Sequence, residues 1–286
     1  MSATTKPRSA TKGDGTPLSG PERAFRYGPL AYLRRYGAVG LVILNLTVFF
    51  ILWELVARAG VVSPLFFPRA STMFGALFEG MAPGGIILEH VFYSMRLFAI
   101  GMLVSAAFGI PLGLLMGASK VMESIFGPYV WSMAALPRVA LMPLLILIFG
   151  FSDSGKFTLI FLSAIFPIII NCMAGVKTVD QSLVRAGQVF GANKVSLYRK
   201  VIFPYTLPFI ISGLNQGMTR GLVGLVIAEI FGGNRGLGYL TKRAAESFNP
   251  GLLYAVLLVL VIFSLTFVQS VKWIENRAAP WRSFGA

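Results

Sequence analysis

Gly150, Gly155 and Lys156 in the stretch GFSDSGKFT (residues 150–158) stand at the spacing of a phosphate-binding loop, G-x-x-x-x-G-K-[ST]. In such a loop backbone N–H groups cradle phosphates and the lysine reaches the outer ones, so the chemistry would be nucleotide binding. The loop also needs a hydroxyl directly after the lysine to hold Mg²⁺. Here that residue is Phe157, and Thr158 comes one place late. A phosphate loop joins a strand to a helix, so the flanking elements decide the matter, and they are the apolar runs LMPLLILIF and LIFLSAIFPIII.

The whole chain shares that character. Of its 286 residues 56% are hydrophobic and 13% charged, against roughly a quarter charged in soluble domains, and the mean hydropathy is +0.74. Such a chain is expected to have a bilayer as its solvent. One histidine, His90, and one cysteine, Cys172, leave no material for a His/Cys metal site or a disulfide framework, so neither residue is expected to carry chemistry and no metal is expected. The formal charge of +14 could point to nucleic acid, but no aromatic-interleaved basic motif accompanies it.

Residues 1–35 are polar, rich in Ser, Thr, Gly and Pro, and carry seven Lys/Arg, which predicts a disordered basic cytoplasmic tail. No small-residue cleavage site follows the first apolar run, so that run is read as an uncleaved anchor. A transmembrane domain over 36–275 and a short cytoplasmic tail over 276–286 complete the division. Apolar segments long enough to cross about 30 Å of hydrocarbon fall near Ala38–Val56, Leu97–Met116, Gly127–Phe149, Phe157–Ala174, Phe209–Phe231 and Leu252–Val271. The third contains LPRVALMP, and Pro137 and Pro143 predict a kink there. The fold class expected is therefore an all-α integral membrane protein of about six transmembrane helices.

Six spans put both termini on one side. With the N-terminus inside, 16 of the 25 Lys/Arg fall on inner segments and six on outer ones, while Arg96, Arg138 and Arg220 lie at membrane depth. The bias favours N-in, C-in. GFSDSGKFT then sits on the outer side, away from ATP, and its likeness to a nucleotide loop is accidental. Lys156 is expected to mark the membrane interface at the start of a span.

The longest inner loop, VKTVDQSLVRAGQVFGANKVSLYRKVIFPYTLP (Val176–Pro208), is too polar to span yet has helical periodicity. Leu183, Ala186, Gly187 and Phe190 fall at i, i+3, i+4, i+7; after Gly191 a second pattern runs through Val195, Tyr198, Val201 and Ile202. Two short helices meeting at a glycine and ended by Pro204 fit this spacing. A protruding elbow of that kind suits docking to a partner; an amphipathic loop on the lipid surface is the plainer reading.

At this point the sequence resembles the permeases of bacterial ABC importers, whose inner loop has the form E-A-A-x₃-G-x₉-I-x-L-P. Ala186 matches the first alanine, Gly187 replaces the second and Gly191 matches the glycine, with Ala192 and Asn193 following. Val201, Phe203 and Pro204 occupy the Ile, Leu and Pro positions. One departure stands out: Arg185 takes the acidic position, so any ion pair of the family there does not carry over. LFFPRASTMFGAL, SMRLFAIGMLVSAAFGIPLGLLMG, LPRVALMPLLILIFGFSDSGKF and AEIFGGNRGLGYL resemble the nitrate/sulfonate/taurine-type subgroup. The resemblance covers most of residues 40–275 and implies a type I ABC importer permease fold in the bacterial inner membrane. It implies, as partners, a second permease copy (usually identical), two cytoplasmic ATPase subunits, and a periplasmic or lipid-anchored binding protein. ATP and Mg²⁺ would sit on the ATPase, which would dock on the coupling loop, about 176–206, and this chain would hold no cofactor and no catalytic residue. The solute expected is a small anion such as an alkanesulfonate, taurine or nitrate.

Within the membrane, Gly109, Gly113 and Gly117 and again Gly213, Gly217 and Gly221 repeat every four residues, which lets helices approach closely. The fifth span also carries Asn215, Gln216, Thr219, Arg220 and Glu229. Polar groups at that depth cost several kcal/mol unless paired or facing water, so they either line a translocation path, where Arg220 would favour anions, or brace the bundle. Arg96 and Arg138 are read as structural, and Glu54 as interfacial. The competing class is a secondary transporter or channel, which usually shows an internal repeat; none is evident, and the inner loop would then have no purpose. A membrane-embedded enzyme lacks any nucleophile–base pair or metal cluster.

Overall fold

The computed structural model describes residues 29–278, with side-chain surroundings over 40–271 apart from Lys194. The expected tails therefore lie outside the described residues over 1–28 and 279–286. The described residues of the two expected tails, 29–35 and 276–278, are helical.

The chain divides into two compact units, residues 1–70 and 71–286. In the first, helix α1 (Pro29–Arg58) is followed by a segment that folds back on its end. The Trp53 indole N–H donates to the Pro68 carbonyl at 2.9 Å, and its ring stacks on Phe67 at 5.4 Å between centroids. Glu54 pairs with Arg58 one turn on, at 2.7 Å.

Among the described residues the second unit holds ten more α-helices. They are α2 (Ala70–Met81, starting at the junction), α3 (Ile86–Ala118), α4 (Lys120–Ala135), α5 (Met142–Phe149), α6 (Asp153–Lys177), α7 (Gln181–Val189), α8 (Lys194–Leu197), α9 (Phe203–Gly232), α10 (Leu237–Glu246) and α11 (Pro250–Ala278). Among the described residues there is no strand. The GFSDSGKFT stretch links helix α5 to helix α6, with Gly150 at φ +65° closing the first and Asp153 opening the second. This is not the strand-to-helix turn a phosphate loop requires.

Helix α6 lies between two rows of glycines. A Cβ on Gly113 of α3 would stand 2.6 Å from the Ile169 carbonyl oxygen and 2.7 Å from Cys172 Cβ, and one on Gly117 would stand 2.6 Å from Val176 Cβ. On the other side, a Cβ on Gly217 of α9 would stand 2.9 Å from the Ala164 carbonyl oxygen, and one on Gly224 would stand 2.6 Å from Ser163 Oγ. Both glycine repeats thus serve packing within the subunit. Phe98, Ile160, Ile168 and Leu225 fill the apolar core they enclose.

The pairings give the strand of connections its direction. From Gly101 against Ile160 to Gly117 against Val176, contacts advance together along α3 and α6, so the two run parallel. From Gly213 against Ile168 to Gly224 against Leu159 they run in opposite senses along α9 and α6, which are antiparallel. Two parallel neighbours need a return crossing between them. The bent pair α4 and 138–149, with 94° between its halves, supplies it: Glu123 at its start meets Lys177 at the far end of α6, with 2.5 Å between charged atoms, and its end leads into Asp153. The pair is a broken span, not a re-entrant loop. The bend falls where Pro137 leaves the helical region, at ψ 104°; Pro143 sits in the first turn of α5, where a missing N–H breaks nothing.

Among the described residues four helices are long and apolar enough to cross a bilayer by themselves, and five with the bent pair. The fifth expected span, α9, has the length, at 30 residues, but its polar stretch keeps it below the apolarity of the others. It is held at depth by lying along α6.

A clamp fixes the start of α10. Three successive backbone donors that a helix start leaves unpaired each find a side chain: Gly236 N–H donates to His90 Nδ1 at 3.0 Å, Leu237 N–H to Ser94 Oγ at 2.9 Å, and Gly238 N–H to Glu229 Oε2 at 2.8 Å. Ser94 passes its own proton to Glu229 Oε1 at 2.7 Å. Gly236, at φ +108°, has no room for a side chain, because a Cβ would fall on the Glu229 carboxylate.

Gly113→Ala is expected to destabilise the chain by about 1–3 kcal/mol, because it meets backbone; Gly127→Ala, where a Cβ meets nothing closer than 4.0 Å, is expected to stay within about 0.5 kcal/mol. Unfolding in mixed micelles by added SDS measures both. Glu229→Ala leaves the Ser94 hydroxyl and the Gly238 N–H without an acceptor and is expected to cost about 1–3 kcal/mol for each. Glu229→Gln, which keeps an acceptor, is expected to fall between it and the wild type in the same assay.

Candidate functional site

The 176–206 loop folds as the two-helix elbow its spacing predicts, and local chemistry shapes each joint. Asp180 caps α7, its carboxylate accepting the Ser182 N–H at 2.8 Å. That bond, followed by one from the Ser182 side chain, holds the Asp180 carboxyl below its ordinary pKa. At the other end Gly191, at φ +77°, takes the left-handed conformation. Its N–H donates to the Gln188 carbonyl at 2.9 Å and the Ala192 N–H to the Gly187 carbonyl at 3.0 Å, the paired bonds of a Schellman ending. Asn193 then caps α8 by accepting the Ser196 N–H at 2.8 Å. Gly187 lets the two helices meet, since a Cβ there would stand 2.7 Å from Leu197.

The second helix does not end at Pro204. A single π turn, Tyr198–Ile202, leads straight into α9, and Pro204 stands in its first turn. The proline ring would clash with the carbonyl of Lys200 in a regular α-helix; the wider π turn removes that clash. Helix-ending chemistry at this proline, as read from the sequence, is thereby corrected.

The elbow buries Leu197 but leaves other apolar residues uncovered. Val189 is 85% exposed, Phe190 90% and Val195 76%, while Arg185, Ala186 and Asn193 are also exposed and Gly187, Ala192 and Pro204 half-buried. Three large apolar side chains thus stand exposed about the joint between the two helices.

The polar residues of α9 separate into three groups. Gln216 donates to the Asn171 side chain of α6 at 3.3 Å, and Asn171 donates to the Pro167 carbonyl at 2.8 Å; Asn215 is half-buried. Thr219 and Arg220 are exposed and border a cavity of about 250 Å³ whose far wall is the break at Leu136–Val139. Arg138, on that wall, donates to the Ala134 carbonyl at 3.2 Å, an acceptor freed by the bend. Glu229 is the outlier: fully buried in the clamp on α10, it faces neither this cavity nor Arg220.

Lys156 stands in the first turn of α6, at the start of a span, but is covered by other side chains. It is 1% exposed, donates to Tyr93 Oη at 2.7 Å and to Asp153 Oδ1 at 3.2 Å, and lies over the Tyr93 ring. Tyr93 in turn donates to Asp153, and Arg96 stands 3.9 Å from the same carboxylate. This cluster ties α3 to α6 at the end opposite the elbow. His90 and Ser94, one turn apart on α3, also escaped sequence reading; their only signal was a polar i, i+4 pair entering an apolar span.

Comparison with known proteins agrees with this geometry. The family described as "Binding-protein-dependent transport system inner membrane component" matches residues 109–281. The taurine transport system permease protein TauC of Escherichia coli is 31% identical over 247 residues, covering 85% of this chain and 90% of the relative. A putative aliphatic sulfonates transport permease protein, SsuC of Bacillus subtilis, is 30% identical over 250 residues, covering 87% and 90%. Among solved structures, the inward-facing MetNI methionine ABC transporter matches the fold at a TM-score of 0.60 with 16% identity, over 68% of this chain and 96% of that one. The chain belongs to the binding-protein-dependent transport system inner membrane component family, and is a multi-pass inner-membrane permease of an ABC importer.

Proposed function

We propose that this permease carries a small anion, of the sulfonate, taurine or nitrate kind, from an external binding protein to the cytoplasm. It is driven by ATP hydrolysis on a separate ATPase subunit that docks on the 176–206 elbow. Both termini face the cytoplasm, in keeping with the distribution of Lys and Arg. The complete transporter holds two permease copies and two ATPases, and ATP and Mg²⁺ belong to the ATPase. The relatives named for taurine and aliphatic sulfonates support the substrate class.

The observation that carries the reading is the uncovered tip of the elbow, Val189, Phe190 and Val195, of which Val195 stands on the helix that runs through the π turn into α9. A partner that seats this tip acts on α9 through Val195. Asn215, Gln216, Thr219 and Arg220 then lie on or beside the path, and Glu229 secures the loop that ends the same helix. Arg185 is exposed on α7 and offers the partner a positive group where the family has an acidic one.

Tagged chain drawn from its native membranes in mild detergent is expected to bring an ATPase with it. Phe190→Asp, which places a charge in the docking surface, and Gly191→Trp, which forces a bulky residue into a left-handed position, are both expected to lose the ATPase while eluting from size exclusion like wild type. An ATPase retained by both variants would remove the elbow as the docking site. No ATPase with wild type, together with uptake independent of ATP, would replace this reading with a secondary transporter.

A further inference from the structure

The cavity between the broken span and α9 has an unusual set of walls. Arg138 comes from the break and Arg220 and Thr219 from α9, while Ser163 of α6 forms the floor beneath Gly224. None of the lining residues is acidic. Two guanidinium groups bordering one small space at membrane depth repel each other and lose hydration. An anion held between them would reverse both costs.

The hydroxyl of Ser163 points the same way. Ser163 is fully buried, and its Oγ has no hydrogen-bond partner among the described residues. The buried hydroxyls of Ser105 and Thr206 bond back to the preceding turn, to Gly101 at 2.7 Å and Ile202 at 2.8 Å, and that of Ser94 donates to Glu229 at 2.7 Å. An unpaired buried hydroxyl costs about 1–3 kcal/mol, so one that borders a cationic cavity marks a place for an acceptor. Gly224 leaves the space: a Cβ there would stand 2.6 Å from that oxygen.

We propose that this cavity is a transient binding station for the oxyanion head of the transported solute, gripped by Arg220 and Arg138 and oriented by Ser163 and Thr219. The assignment rests on the importer reading above. A volume of about 250 Å³ lies below the roughly 300 Å³ at which drug-sized pockets begin, so the station takes a head group with a short tail. Arg138 enters it already anchored: Nη2 and Nε reach the Ala134 and Leu162 carbonyls at 3.2 and 3.5 Å, which leaves three of its five N–H groups for a ligand. Among the described residues Arg220 has no ion-pair partner, and it presents its whole fork.

The test uses the full chain in nanodiscs, together with whatever ATPase co-purifies, and ³⁵S-methanesulfonate as the probe, without any binding protein. Saturable binding is expected, displaced by unlabelled methanesulfonate and not by dimethyl sulfone, its neutral counterpart. Arg220→Gln and Arg138→Gln are each expected to weaken binding by about tenfold or more, the effect of losing a charged hydrogen-bond donor. Ser163→Ala is expected to weaken it about threefold to tenfold, and Arg220→Lys to retain most of it. Should Arg138→Gln fail to fold, because it loses its carbonyl anchors, the Arg220 and Ser163 variants decide alone. No saturable binding by wild type, equal competition by dimethyl sulfone, or unchanged affinity in Arg220→Gln and Ser163→Ala would each overturn the station. Those outcomes are separate from failure of the importer reading, which shows as wild-type chain that brings down no ATPase.

Discussion

The close seating of α6 between two glycine rows is the constraint from which the rest of the second unit follows. Apolar helices gain nothing from leaving lipid for one another, so their association rests on van der Waals contact, polar pairing and the absence of side chains where backbones must meet. Gly113 against the Ile169 carbonyl and Gly217 against the Ala164 carbonyl are such places. With α3 parallel and α9 antiparallel to the same helix, the chain between α3 and α6 has to recross, and the break at Pro137 is built into that crossing. The cavity beside Arg220 exists because the crossing is bent.

That seating also explains how a helix as polar as α9 lies at membrane depth. Its glycine positions face α6 and α3, Gln216 pairs with Asn171, and Glu229 is turned inward to hold the start of α10. Thr219 and Arg220 stay uncovered, opposite Arg138 across the cavity. A carboxylate nine positions from an arginine on one helix invites an ion-pair interpretation. The structure instead separates them by function, one closing a loop and the other bordering a cavity.

Much of this was legible because it is local or periodic. Span positions follow from runs of apolar residues, the elbow from Gly191 and the helical spacing around it, and the two packing rows from glycines four apart. The missing hydroxyl after Lys156 already excluded a phosphate loop. The rest depends on partners far away in sequence. Nothing near Lys156 announces Tyr93, and nothing near Glu229 announces Ser94, 135 residues earlier. The continuation through Pro204 was hidden for a different reason: a proline ordinarily closes a helix, and only the wider turn before it lets the helix run on. Single-residue insertions of this kind leave no pattern in composition.

The π turn therefore fixes a phase. From Lys194 to Gly232 the second helix of the elbow and the polar face share one rod, and each residue along an α-helix rotates the next by about 100°. Between Tyr198 and Arg220 the rod is about 33 Å long, so the direction in which Arg220 points is tied to the direction in which Val195 is pushed. Losing one residue from the turn would leave a sound elbow and a sound span, each able to fold, but out of step by more than a quarter of a revolution. Such a chain could still bind its partners and would no longer translate one event into the other.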